Sequence, residues 1–215
     1  MALTPTELSE NSETPLYAIT GQIPTLTGSD DPRVLAFNTL ADQLIQKTVD
    51  EFKANVASMP PSPMPGFGSS FDVRYTLVSP FGNILSLKFE AMVYMDGPVH
   101  PYRNNYTLTY DLEEGREIHL DQLFLPGSAY LQAIANFCTG ELQTRDIGFE
   151  ELSTQGAAPT PENYRKWNIT PDGLLITFDE YQVGAYAAGP QTVIIPYAEL
   201  AALIDPRGPL AGSVP

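Results

Sequence analysis

The sequence predicts an α+β protein: mainly antiparallel sheets, two longer helices packed on them, and a short C-terminal helix. Three observations lead there. Stretches 29–52 and 126–142 repeat apolar residues every three or four positions, whereas much of the remainder alternates apolar with polar residues. Twenty prolines and 16 glycines punctuate the chain with turns. Helices separated by runs of neighbouring strands point to α+β, and short hairpin connections within each run permit only antiparallel pairing.

The elements follow in order. Residues 1–14 are polar and read as a disordered tether. An N-terminal α+β half is expected over 15–115, a C-terminal α+β half over 116–205, and a loose tail over 206–215. LYAITGQIP (Leu16–Pro24) alternates as a short strand and ends at a proline. In SDDPRVLAFNTLADQLIQKTVDEF, Asp31 suits the helix cap and Pro32 the first turn. Val34, Phe37, Ala41, Leu44, Thr48 and Phe52 form its buried stripe. MPPSPMPGFGSS (Met59–Ser70) is too rich in proline and glycine for regular structure.

Phe71–Ser79 alternates as a half-buried strand, and a turn at Pro80–Asn83 returns the chain into a strand with Leu85, Leu87, Phe89, Ala91 and Val93 on one face. NYTLTYDLEEGREIHL reads as a strand, a turn at Glu114-Gly115 and a short return strand. The second helix takes Ser128 as its cap, with Leu131, Ile134, Cys138 and Leu142 inward. A polar loop is expected from Arg145 to Pro161. WNITPDGLLITF is a hairpin signal with Pro171-Asp172-Gly173 as its turn. Thr192–Ile195 is a further strand, and Pro196 opens the short last helix, with Leu200, Leu203 and Ile204 on its apolar side.

The 26 acidic and 11 basic residues give a formal net charge of −15. Such a surface repels phosphate backbones and anionic lipid headgroups, so no nucleic-acid partner is expected. It favours encounter with a cationic protein, although acidity also serves plain solubility. No apolar run reaches membrane-spanning length and no signal peptide opens the chain, so any native membrane tether is expected outside this sequence.

The chemistry-bearing residues are few. His100 and His119 stand nineteen residues apart without the tight spacing of zinc ligands, and DLEEGREIHLD lacks calcium-loop spacing. No metal site and no cofactor are expected. Neither a GxSxG elbow nor a phosphate-cradling glycine loop occurs. Cys138 is the single cysteine, set among apolar neighbours with no histidine nearby in sequence, and reads as a buried structural thiol. Asp179 and Glu180 are adjacent, and in a strand they would point to opposite faces and could not flank one bond together.

Two stretches carry candidate binding residues. In YMDGPVHPYRNNYT, His100 lies between prolines on a turn after a strand, with Tyr94, Tyr102 and Arg103 close in sequence. In YQVGAYAAGP, Tyr181 and Tyr186 sit in a glycine-punctuated loop. The plainer readings are that His100 bonds turn carbonyls and that the tyrosine hydroxyls anchor their loop to the sheet.

These stretches also resemble a known module. GPVHPYRNNYTLTYDLEEGREIHLDQLF and WNITPDGLLITFDEYQVGAYAAGPQTVIIPYAEL are similar to the two main motifs of an extracytoplasmic pair of domains of unknown function, and YAITGQIPTLTG…FNTLADQLI is similar to its opening. That pair is found in the lysozyme-sensing anti-sigma factor V family, ahead of the catalytic domain in a peptidoglycan deacetylase family, and alone in bacterial lipoproteins. The resemblance covers roughly 16–204. It implies an exported, non-catalytic binding or sensing module at the cell envelope, anchored through an amino-terminal signal or anchor. A cationic protein such as lysozyme, or cell-wall glycan, would be its partner. The alternative is a cell-wall glycan hydrolase using a carboxylate pair in a groove between the halves. Neither the sigma-binding segment nor the metal-binding catalytic domain of those relatives is read in this sequence, so anti-sigma and deacetylase activities are not expected to carry over.

Overall fold

The computed structural model describes residues 1–60, 68–97, 100–148 and 154–211. The chain divides into two units. One holds Met1–Thr76, Phe89–Asn104 and Leu112–Arg116; the other holds Leu77–Lys88, Asn105–Asp111 and Glu117–Pro215. Each unit is discontinuous in sequence, and Leu77–Lys88 and Asn105–Asp111 join the second unit ahead of Glu117. The reason is strand length: β3 (Ser69–Phe81), β4 (Ile84–Tyr94) and β5 (Tyr102–Asp111) each divide their residues between the units.

The first difference from the sequence reading is at the amino end. Ala2–Glu13 is a strand, β1, paired antiparallel along its whole length with β2 (Leu16–Thr27). Its polar side chains hid it, because the strand is stabilised by backbone pairing and by side-chain bonds along its face. The Tyr17 hydroxyl donates to Glu10 at 2.7 Å, and Glu10 also pairs with Lys53 at 2.6 Å. The Lys53 and Tyr17 hydrogen bonds hold the Glu10 carboxyl below its ordinary value.

Helix α1 (Pro32–Ser58) follows the sequence pattern and runs six residues further. Asp31 caps it, accepting from the Arg33 amide at 2.9 Å, and the Arg33 guanidinium holds its carboxyl down at about 2. The buried stripe contains Val34, Phe37, Ala41, Thr48 and Phe52 as expected, but Ile45 takes the core position rather than Leu44. In this unit the stripe lies beside β2, and Phe52 meets Phe71 with ring centroids 5.5 Å apart.

The larger sheet has the order β1-β2-β3-β4-β5-β6, with β6 at Arg116–Glu117. One pair departs from the antiparallel expectation: β2 and β3 run parallel, with Tyr17 opposite Ser69 and Gly21 opposite Val73. Helix α1 supplies the long crossover that parallel neighbours require. The β3–β4 turn falls at Gly82-Asn83, inside the predicted window. Residues 61–67 of the proline-glycine segment lie outside the described residues.

The second unit has its own three-stranded antiparallel sheet: β7 (Trp167–Thr170), β8 (Gly173–Phe178) and β9 (Gln191–Ile195). Helix α2 (Tyr130–Gln143) lies beside β9, burying Ile134, Ala135, Cys138 and Leu142, while Leu131 is only partly buried. Ser128 does not cap it. Its amide closes a turn onto the Leu125 carbonyl at 3.0 Å, so the helix starts later, with Ala129 at the cap position and no side-chain cap bond. The short last helix, α3, is Tyr197–Leu200 with Pro196 at its cap. The segment after it is not loose throughout: Leu210 is buried in the same core, and the Asp205 amide bonds the Leu123 carbonyl at 3.0 Å. Each fully buried Leu, Ile or Phe in such a core stabilises the fold by about 1.5–3 kcal/mol.

Ser86 of β4 joins that core to polar backbone. Its hydroxyl accepts from the Asn168 amide nitrogen at 2.9 Å and from the Ile169 N–H at 3.0 Å, while Asn168 also donates to the Leu87 carbonyl. The Pro171-Asp172 hairpin turn depends on Gly173. Its φ of +155° is unfavourable for other residues, and a β-carbon there would lie 2.7 Å from the Ile195 carbonyl carbon. Gly173→Ala should therefore cost about 3 kcal/mol of stability in urea unfolding. A loss below about 0.5 kcal/mol would show that the turn is not held this way.

Candidate functional site

The site is built on the loop that leaves β8. Asp179 and Glu180 are not strand residues, since β8 ends at Phe178, so the opposite-face rule does not apply to them. Asp179 starts the loop and is tied inward. Its carboxylate pairs with Lys166 and accepts from the Asn105 side-chain amide at 3.0 Å. Burial pulls the Lys166 ammonium down from its ordinary value, against the opposing pull of Asp179. Asn105 is itself fully buried.

Gln182 closes the loop on itself and on the segment before β7. Its side-chain oxygen accepts from the Asp179 N–H at 3.1 Å. Its side-chain nitrogen donates to the carbonyls of Gly156 and Asn163, both at 3.1 Å. The loop also meets residue 147, where the Ala185 N–H donates to the Ile147 carbonyl at 2.9 Å. The opposing segment is fixed by Tyr164, which is fully buried, packs edge-on against Phe178 and donates its hydroxyl to the Ala157 carbonyl. Gly156 is the point of closest approach. A β-carbon there would overlap the Gln182 carbonyl group, lying 2.6 Å from its carbon and also against the oxygen.

Anchored on both sides, the loop turns Tyr181 outward. Tyr181 is 63% exposed, and its φ of +66° is the single positive value at a non-glycine among the described residues. Its ring stacks on Tyr186, with centroids 5.5 Å apart and planes 29° from parallel. A bulky residue held at positive φ is strained, and such strain persists only where the surroundings fix it. Beside the stack lies a cavity of about 340 Å³ lined by Glu162, Asn163, Arg165, Lys166, Asp179, Glu180, Tyr181 and Gln182. Arg165 also lines a second cavity of about 380 Å³, whose walls include Thr107, His119, Tyr130 and Trp167.

The sequence-derived candidates thus fall into two groups. Tyr181 and Tyr186 meet, in the second unit. Tyr94, His100 and Tyr102 belong to the first unit. Tyr94 ends β4, Tyr102 opens β5 with its hydroxyl pushed up by burial, and His100 is exposed between them. Pro98, one of the prolines flanking His100, is outside the described residues. The sequence reading missed Asn105, Gly156, Asn163, Arg165, Lys166 and Gln182. Only Gln182 lies within the flagged loop, and the others reach it through the fold. Among the described residues no three His, Cys, Asp or Glu side chains gather as metal ligands. Cys138 is fully buried, and burial pushes its thiol up to about 12.

Residues 121–198, which contain the whole tyrosine loop, match the family model described as "Protein of unknown function (DUF3298)". That match takes in 78 of the 215 residues. The chain is also 27% identical over 129 residues to the peptidoglycan-N-acetylmuramic acid deacetylase PdaC of Bacillus subtilis (strain 168). That match covers 59% of this chain but only 27% of PdaC, so the chain spans well under half of that relative's length. Two crystal structures of DUF3298 family proteins share the fold. One, from Bacteroides fragilis NCTC 9343, superposes with a TM-score of 0.72 at 16% identity, covering 99% of this chain and 96% of that one. The other, from Pseudomonas aeruginosa PAO1, gives 0.66 at 11% identity, covering 96% of each. The resemblance to a domain of unknown function and to a peptidoglycan deacetylase is confirmed, and beyond the matched segment the likeness of fold extends over nearly the whole chain.

Two expectations follow from this geometry. Tyr181→Gly relieves the positive φ, so it should raise unfolding stability by up to about 1 kcal/mol in spite of removing a large side chain. A clear loss would mean that the ring is structural. Cys138 should resist thiol reagents in the folded state at pH 8 and react at the rate of global unfolding. Above pH 9 the unfolded chain releases this proton while the folded chain retains it up to about 12, so this group lowers stability as pH rises through that window. Rapid native labelling would contradict the burial.

Proposed function

We propose that this chain is a non-catalytic, extracytoplasmic binding module of the bacterial cell envelope, and that its ligand is cell-wall glycan. The observation that carries the reading is the Tyr181–Tyr186 stack, presented beside a polar cavity. A pyranose ring has an apolar C–H face and a rim of hydroxyls, so it suits an aromatic surface flanked by hydrogen-bonding groups. The stack offers the surface, and Glu162, Asn163 and Glu180 offer amide and carboxylate groups beside it. PdaC is by its name an enzyme of peptidoglycan, which supports an envelope setting for the related segment. The polar first residues form β1, so they do not themselves argue for a membrane tether. Among the described residues no helix is long and apolar enough to cross a membrane.

The non-catalytic reading has its own support. A glycoside hydrolase needs an acid held protonated opposite a second carboxylate. Among the described residues, hydrogen bonds to neighbouring cations hold the carboxyls of Glu10, Asp31 and Asp72 below their ordinary values, and none of these three lines either cavity. In the cavity, Asp179 is engaged with Lys166 and Asn105. A second reading, favoured by the net charge of −15, is a cationic protein partner such as lysozyme.

Calorimetric titration with soluble peptidoglycan fragments separates these readings. Glycan binding should survive physiological salt and weaken about tenfold in Tyr181→Ala, whereas a cationic protein would bind with a steep salt dependence. Absence of glycan binding, or affinity indifferent to Tyr181, would refute the proposal.

A further inference from the structure

We infer that the glycan ligand carries a carboxylate and that Arg165 receives it, so the site takes an acidic saccharide such as an N-acetylmuramic acid unit. This rests on the glycan reading above and specifies its chemistry. Arg165 is exposed and lines both of the cavities described above, the one residue they have in common. Around the tyrosine stack the other cation is Lys166, already committed to Asp179. Arg165 forms no ion pair with any described residue, although acidic residues outnumber basic ones by more than two to one. Arg33, Lys53, Arg74, Arg103 and Arg207 have carboxylate partners, whereas Lys47, Arg116 and Arg145 resemble Arg165 in having no ion pair with a described residue; Arg165 differs from those three in lining the cavity beside the stack.

A guanidinium fork matches a carboxylate through two parallel hydrogen bonds, which makes an unpaired arginine at a cavity wall a specific receptor rather than a diffuse charge. The surrounding acids restrict where a carboxylate can settle. Glu162, Asp179 and Glu180 line the cavity beside the stack, and Glu117 and Asp121 line the second. An anionic group is repelled from both interiors and accepted at the wall they share. A neutral amino sugar would use the tyrosines with the amide and carboxylate groups beside them, and not Arg165. A sugar bearing an acidic substituent would add Arg165 and extend toward Trp167, Tyr130 and His119 in the second cavity.

Two probes differing chiefly in that carboxylate test this: an N-acetylglucosamine disaccharide, and a disaccharide of N-acetylglucosamine with N-acetylmuramic acid. Trp167 is the chain's single tryptophan and lines the second cavity, so its emission reports ligand reaching that side, while calorimetry gives affinities. The acidic disaccharide should bind about five- to tenfold more tightly and alone shift Trp167 emission, with the advantage shrinking as salt rises. Arg165→Gln should abolish that advantage, leave the neutral sugar within about twofold, and leave the urea midpoint unchanged; Arg165→Lys should restore part of it. Equal binding of both sugars, or equal weakening of both by Arg165→Gln, would overturn the carboxylate assignment while the glycan reading stands. Binding of neither sugar would overturn both.

Discussion

The absence of a side chain at Gly156 is the constraint on which the site depends. Because no β-carbon intervenes, the backbone at 156 approaches the Gln182 carbonyl closely enough for the Gln182 side chain to bond both Gly156 and Asn163. Those bonds close one side of the loop, and the Asp179 bonds to Asn105 and Lys166 close the other. Between two such anchors, residue 181 has little choice of backbone angle. The positive φ of Tyr181 is then a consequence of the scaffold, held against a local preference that would otherwise move the ring.

The anchors are polar, and their energetics follow from where they sit. Lys166 and Asp179 are largely withdrawn from water, so their attraction mostly offsets desolvation and adds little net stability. Removing one partner would leave the other charge unpaired, which costs far more than the pair contributes. The pair therefore fixes geometry. Stability comes from the apolar core underneath, in which Tyr164, Phe178, Ile176 and Val183 are fully buried. A rigid core below and a strained, exposed aromatic above is the arrangement expected where a surface has been shaped for recognition.

Much of the fold was legible because its determinants are local. The cap at Asp31, the helical stripe from Val34 to Phe52, the alternation in β4 and the Pro171-Asp172 turn each depend on neighbours in sequence. Strand β1 was not legible, since polar residues can pair in a sheet as long as their backbone finds a partner, and that partner, β2, supplies the apolar side chains. The parallel β2–β3 pair followed from a crossover whose outcome local pattern does not fix. Ser128 looked like a cap but its amide was already used in a turn. Tyr181 and Tyr186 stood out through the glycines around them. Arg165, Lys166, Gly156 and Asn105 carry no local signal, because they acquire meaning only where β5, β7 and the 154–166 segment come together within the second unit.

The central claim is that the tyrosine loop, seated by Gly156 and flanked by Arg165, is the surface that meets envelope glycan. Backbone amide NMR during titration with a soluble peptidoglycan fragment tests it most directly. Shift changes should concentrate at 162–166 and 180–187, with the strands of the first unit unmoved. Saturable changes confined to the region of Tyr94, His100 and Tyr102 would contradict the account, as would a spectrum that does not change.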